Sequence, residues 1–97
     1  MSNYVVTTID PDFTPVSYTV NGTSAQSSSI ITGSGIIRIA VRGGHAHIKF
    51  GSNPVATDDD ILIPENHVEF FSFKSGQLVA FIHVGGGSAE INISAVD

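Results

Sequence analysis

The chain has 97 residues and a formal net charge of −5; 41% of the residues are hydrophobic, 13% are charged, and none is cysteine. This length provides for one domain with a single core. The acidic net charge argues against binding to nucleic acid or to an anionic membrane, because such a surface repels phosphate groups. Without cysteine, disulfide bonds and thiolate metal sites are excluded.

The first third of the chain contains three weak strand-like segments, near residues 3–9, 16–20 and 26–32. Pro11 and Pro15 interrupt the first connection. The opening residues, MSNYVV, include neither a basic stretch nor a long apolar run, so we expect no signal peptide and no membrane span. No helical period is present, and Gly, Pro and Asn recur too often for long helices.

Two alternating segments on either side of Gly43-Gly44 predict a β-hairpin. In GIIRIAVR the side chains of Ile37, Ile39 and Val41 fall on one face, and HAHIKF continues the alternation after the glycines. A pair of glycines between two such runs is typical of a two-residue turn. Pairing across this turn would gather a basic group of side chains on the outward face: Arg38, Arg42, His45, His47 and Lys49.

Like charges on paired strands destabilise a sheet, so this basic face should meet acidic groups. Two sources remain open: Glu69 or Glu90 on a neighbouring strand of the same chain, or an acidic loop of another subunit. The loop NPVATDDDILIP supplies an acidic run at residues 58–60 and leads into a short strand at residues 60–63. We interpret this loop as a contact element. Nucleic acid is a less suitable partner, because no aromatic side chains are interleaved for base stacking.

The segment HVEFFSFK-SG-QLVAFIHV predicts a second hairpin that turns at Ser75-Gly76. Its two strands are apolar on both faces, and one face carries Val68, Phe70, Val79 and Phe81. A strand pair of this kind has to be covered on both sides, either by a second layer of the same chain or by another subunit. The final run, SAEINISAV, alternates again and predicts a closing strand.

Three features could carry chemistry, and each has a simpler structural explanation. His45 and His47 share a strand face and could bind a metal with His83 or the Asp58–Asp60 run, but a zinc site needs three or four ligands in a fixed geometry. The aspartates lack the spaced pattern of a calcium loop, and Gly85-Gly86-Gly87 lacks the lysine and helix of a phosphate loop. No serine stands in a nucleophile motif. We therefore predict a non-enzymatic protein with no cofactor and no metal site.

Together these patterns predict eight or nine short, mostly antiparallel strands about ten residues apart. That spacing favours an all-β fold, a β-sandwich or jelly roll. We find no internal repeat and no domain boundary, so residues 1–97 are expected to form one domain.

The stretch from residue 35 to residue 96 resembles small structural proteins of tailed phages. The likeness is carried by an FGxNPxAT turn, here FGSNPVAT, by the LIP step, by the aromatic strand VEFFSF, and by the SG turn and closing strands that follow. The resemblance implies a virion component made in the host cytoplasm, in the first place a capsid decoration or cement protein. The alternative is a tail, neck or fibre-associated module that binds a receptor or a glycan.

A decoration protein would act as a homo-oligomer, for example a trimer, and would bind the phage major capsid protein or other virion proteins. Its interface is expected to combine the basic face, the acidic loop and one apolar face of the second hairpin. These residues are Arg38, Arg42, His45, His47, Lys49, Asp58, Asp59, Asp60, Val68, Phe70, Val79 and Phe81.

Overall fold

The computed structural model describes residues 15–96 and shows an all-β protein. Eight strands form two four-stranded antiparallel sheets that pack face to face. Their bounds are β1 Val16–Val20, β2 Ala25–Gln26, β3 Ile36–Arg42, β4 Ala46–Gly51, β5 Ile61–Ile63, β6 Val68–Ser72, β7 Leu78–Ile82 and β8 Ala89–Ala95. The strand expected near residues 3–9 lies outside the described residues. Within them there is no helix with the length and hydropathy that a membrane crossing requires.

The strand order is that of a jelly roll. Sheet I has the order β1-β8-β3-β6, and sheet II has the order β2-β7-β4-β5. The pairing is nested: β1 pairs with β8, β2 with β7, β3 with β6 and β4 with β5, all antiparallel. Two further pairs, β3 with β8 and β4 with β7, complete the sheets. The predicted all-β fold is confirmed, and the nested pairing selects the jelly roll from the two predicted arrangements.

Both predicted hairpins are wrong, because the short turns join the two sheets. β3 ends at Arg42 in sheet I, whereas β4 begins at Ala46 in sheet II, and β6 and β7 are likewise in different sheets. The glycines do turn the chain, with φ of 76° at Gly43 and 91° at Gly76. Among the described strands, β4 and β5 are the one consecutive pair that lies within a single sheet.

The core between the sheets comes from the alternating strands that the sequence indicated. Aromatic rings meet across the layers, with ring centroids 5.3 Å apart for Phe50 and Phe71 and 5.1 Å apart for Tyr18 and Phe81. Burying each large apolar side chain contributes about 1.5–3 kcal/mol, so this interior holds the layers together. The inward-facing residues of β3, β4 and β8 are buried as predicted: Ile37, Ile39, Val41, Ala46, Ile48, Ala89, Ile91, Ile93 and Ala95.

The apolar residues of β6 and β7 lie in different environments. Val79 and Phe81 on β7 are 0% and 1% exposed and belong to the core, so the prediction that they share an outward face with Val68 and Phe70 is wrong. β7 is a central strand of sheet II, and its inward residues are covered by sheet I. β6 is an edge strand of sheet I, where Val68 is 42% and Phe70 is 49% exposed. The apolar part of the predicted interface is therefore reduced to β6.

Candidate interaction surface

The outer face of sheet I brings an arginine next to the exposed apolar residues of β6. The strand register places Arg38 opposite Phe70 and Ala40 opposite Val68. We call these four residues the edge patch. A shallow groove continues from it across sheet I, and its lining includes Ser17, Arg38, Ala40, Arg42, Glu90 and Asn92.

Among the described residues Arg42 forms an ion pair, whereas Arg38 does not. The Nη2 and Nε groups of Arg42 donate to Glu90 Oε2 at 2.7 and 3.2 Å. Both side chains are exposed, so the ion pair contributes at most about 1 kcal/mol. Glu69, the other acidic neighbour considered from the sequence, lies opposite Ile39 on the core-facing side of β6. Among the described residues Arg38 has no ion pair, and its charge is available to a partner.

His47 and Lys49 of β4 lie on the opposite surface of the molecule. His47 and Lys49 alternate with the buried residues Ala46 and Ile48, so they point away from the core on sheet II. The arginines of β3 point away from the core on sheet I. The prediction of one continuous basic face is therefore wrong, because the turn between β3 and β4 crosses from one sheet to the other. Packed sheets are about 10 Å apart, which separates the two groups of charges.

Three histidines meet where β4 begins and β7 ends. The ring centroid of His45 lies 4.5 Å from that of His83 and 5.6 Å from that of His47. His83 is buried, and its Nδ1 and Nε2 lie 2.8 Å from the carbonyl oxygens of His45 and Gly86. A Cβ atom on Gly44 would lie 2.9 Å from His83 Cε1, so this approach requires glycine. The cluster fastens the glycine-rich loop after β7 to the start of β4.

The position of His45 in the histidine cluster also lowers the pKa of its ring. Its pKa is lowered from 6.5, first because burial disfavours the charged ring and then because His83 and His47 lie close, while Glu65 acts in the opposite direction. The Nδ1 atom of His47 lies 3.1 Å from the carbonyl oxygen of Asp60. Within residues 15–96, no group of three or more His, Cys, Asp or Glu side chains is placed to hold a metal ion. The contacts of the cluster are structural, since they connect the loop after β7 to the start of β4.

The aspartate run lies in a turn that the chain holds together by itself. Asp60 Oδ2 accepts hydrogen bonds from Thr57 N and Thr57 Oγ1 at 2.7 and 3.3 Å, and Asp60 N donates to Thr57 O at 3.1 Å. Asp58 and Asp59 are exposed. Asp60 therefore shapes the turn, and the predicted contact role of the loop stays a prediction that Asp58 and Asp59 are best placed to fulfil.

Sequence reasoning missed the contacts that hold the β4–β5 connection against β2. Gln26 Nε2 donates to Asn53 Oδ1 at 2.9 Å and to Pro54 O at 2.7 Å, and Ser24 Oγ accepts from Ala56 N at 2.8 Å. These partners are 27 to 32 residues apart in the chain. No local pattern identifies them, because the strand order alone brings them together.

Comparison of the chain with protein-family models, with curated proteins and with solved structures finds no match. Features of the outer surface of the described residues therefore have to indicate the function. The edge patch stands out on this surface. Two exposed apolar side chains and an arginine without an ion pair in the described residues lie together there, beside an edge of sheet I that no described strand covers.

Proposed function

We propose that the protein is a non-enzymatic structural component of a tailed-phage virion, a decoration or cement protein that binds the assembled capsid. The edge patch carries this proposal, since Val68 and Phe70 remain exposed while the inward apolar residues of the sheets are buried. Exposed apolar residues grouped at one place are typical of association surfaces. The jelly roll is compatible with the proposal, because viral capsid proteins use it, but lectins and cupins use it as well, so the surface has to support the role.

Decoration requires only modest affinity from each copy. A protein that binds the assembled shell and not the separate capsid subunits stabilises the shell by mass action. Many identical contacts on one particle then add through multivalency. The small apolar surface of Val68 and Phe70 suits such weak, repeated binding. Arg38 would add a charge contact that orients each copy on an acidic partner.

Co-sedimentation with purified particles of the phage that encodes the chain tests the proposal. We expect the protein to pellet with assembled shells and to stay in the supernatant with dissociated capsid subunits. The double variant Val68→Ser/Phe70→Ser should lose binding. The matched double variant Ile61→Ser/Leu62→Ser should retain it, because those side chains on β5 are equally exposed, at 48% and 51%, but lie in sheet II.

Immunogold labelling of intact particles locates the protein. Label over the capsid supports the decoration role. Label on the tail, neck or fibres would replace that role with a receptor- or glycan-binding module. Absence of the protein from purified particles would overturn the proposal, and equal loss of binding in the two double variants would show that the edge patch is not the binding surface.

A further inference from the structure

We infer that β6 pairs with β6 of a second copy of the chain, antiparallel about a twofold axis at Phe70, so that sheet I continues across two subunits. The inference deepens the proposed function by placing the edge patches of two copies side by side on one continuous sheet, and it rests on that function only for the biological purpose of the dimer. Three features of β6 lead to it: its backbone groups, its limited edge protection and the order of its side chains.

The backbone of β6 is paired with β3 on one side and has no partner among the described strands on the other. Phe73 N donates to Gly35 O at 2.7 Å, and His67 O accepts from Val41 N at 3.0 Å, so the odd-numbered residues of this segment turn their N–H and C=O groups toward β3. Successive residues of an antiparallel strand alternate in this respect. No described strand pairs with the other side of β6. The backbone groups that point out of sheet I are those of Val68, Phe70 and Ser72.

β6 is less protected as an edge strand than the edges of sheet II. Proteins blunt such edges with very short strands, with proline or lysine, or with an inward-pointing charge. The edges of sheet II follow this rule, since β2 has two residues and β5 has three. β6 has five residues, VEFFS, with neither proline nor lysine, and the inward-pointing charge of Glu69 is its one protective feature. An exposed edge of this length, with Val68 and Phe70 on its outer face, is suited to add another strand.

The order of the side chains in β6 favours pairing with β6 of a second copy in one particular register. When Phe70 faces Phe70 of the second copy, Val68 faces Ser72, all five residues of the strand are paired, and the outward backbone groups meet one another. Glu69 then faces Phe71, so no like charges meet. A shift that sets Glu69 opposite Glu69 is destabilised by repulsion, and a shift in the other direction shortens the overlap.

A twofold pair of this kind closes on itself. Both copies use the same edge, so the interface is isologous and leaves no open β6 on which further copies could add. Arg38 lies beside Phe70 on the outer face, and the two Arg38 side chains of the dimer would flank the Phe70 pair. They stand three strand spacings apart, about 14 Å, which exceeds the screening length of about 8 Å at physiological salt. The dimer therefore presents a doubled basic surface without strong internal repulsion.

Sedimentation equilibrium over a concentration series tests for the dimer. We expect a reversible monomer–dimer equilibrium in which Phe70→Lys and Val68→Pro each raise the dissociation constant at least about tenfold. Val68→Pro removes an N–H group that points away from β3, so it should block pairing with the second copy and leave the β3–β6 pairing intact. Val55→Lys is the matched control, since Val55 is 61% exposed and lies between β4 and β5. Circular dichroism and thermal unfolding establish that each variant is folded.

Single-cysteine variants test the register, because the chain has no cysteine of its own. A short bifunctional thiol reagent should join Phe70→Cys into a covalent dimer. It should not join Val68→Cys, because the two copies of residue 68 lie four residues apart along the strands, about 13 Å. Cross-linking of Val68→Cys in place of Phe70→Cys would overturn the proposed pairing.

Two further results would overturn the inference: a monomer at every concentration, or a dimer that withstands both Phe70→Lys and Val68→Pro. These results are distinguishable from failure of the proposed function. A monomeric protein that still pellets with capsids would exclude the β6 dimer and leave the decoration role standing. A dimeric protein that does not pellet with capsids would exclude the decoration role and leave the β6 dimer standing.

Discussion

At the scale of single residues, His45 is a group whose protonation the fold opposes. Burial and then the nearby rings of His83 and His47 lower its pKa from 6.5, and Glu65 offsets part of this effect. Because the folded pKa lies below that of the unfolded chain, the stability linked to His45 is fully present above about pH 6.5 and is lost as the pH falls through the lowered pKa. Protonation of His45 at low pH therefore favours the unfolded chain.

We predict that His45→Gln flattens the acid side of the stability profile. The free energy of unfolding, measured by urea titration between about pH 8 and about pH 5, should fall less in the variant than in the wild-type protein, because the variant has no ring to protonate at this position. The contact from His83 to residue 45 uses the backbone carbonyl oxygen, so the substitution leaves it in place. Parallel profiles for the two proteins would show that His45 is not the responsible group.

Alternation in the sequence predicted which side of a strand is buried, but not which layer covers it. Ile37 and Ile93 face the core as expected, because period two is a local property of the extended chain. In the sequence, Val79 and Phe70 are both apolar residues of the second predicted hairpin. In the structure, Val79 is 0% exposed and Phe70 is 49% exposed. The difference arises because Val79 faces the core between the sheets, whereas Phe70 lies opposite Arg38 on the outer face of sheet I, and which face is covered depends on distant residues.

At the scale of elements, the strands could be predicted more closely than their connections. β1, β3, β4, β5 and β8 match the expected runs. Of the segment expected near residues 26–32, only Gln26 lies in a strand, the two-residue β2. A two-residue glycine turn usually pairs its flanking strands in one sheet. In this jelly roll the same kind of turn carries the chain across to the other sheet. Both cases need the same local reversal, so the turn residues do not distinguish them.

We predict that the acidic loop depends on one of its three aspartates for its shape. Asp60→Ala removes the acceptor for the N–H and hydroxyl groups of Thr57 and should lower the free energy of unfolding by about 1 kcal/mol. Asp58→Ala is the matched control, since it removes the same charge from an exposed position and should change stability by less than about 0.5 kcal/mol. Urea unfolding of the two variants measures the difference. Equal effects would mean that the charge, and not the turn, determines the stability of the loop.

At the scale of the whole molecule, strand order decides which charges share a surface. The sequence placed the arginines of β3 with His47 and Lys49, but the nested pairing puts these groups on opposite sheets. The fold class could be predicted, because it follows from the number and spacing of strands. The surface could not, because β1 and β8 meet across almost the whole described chain, and no local pattern contains such a contact.

The two arginines of β3 allow the roles of charge in folding and in binding to be separated. Arg38 lies opposite Phe70 and has no ion pair in the described part of the chain. We therefore predict that Arg38→Glu weakens binding to particles and changes the free energy of unfolding by less than about 0.5 kcal/mol. Arg42→Glu breaks the ion pair with Glu90 and sets two acids opposite each other, so it should cost about 0.5–1 kcal/mol of stability with less effect on binding. Thermal unfolding measures the first quantity, and co-sedimentation at low and high salt measures the second. If Arg38→Glu destabilises the fold as much as Arg42→Glu does, its charge acts within the chain and not on a partner.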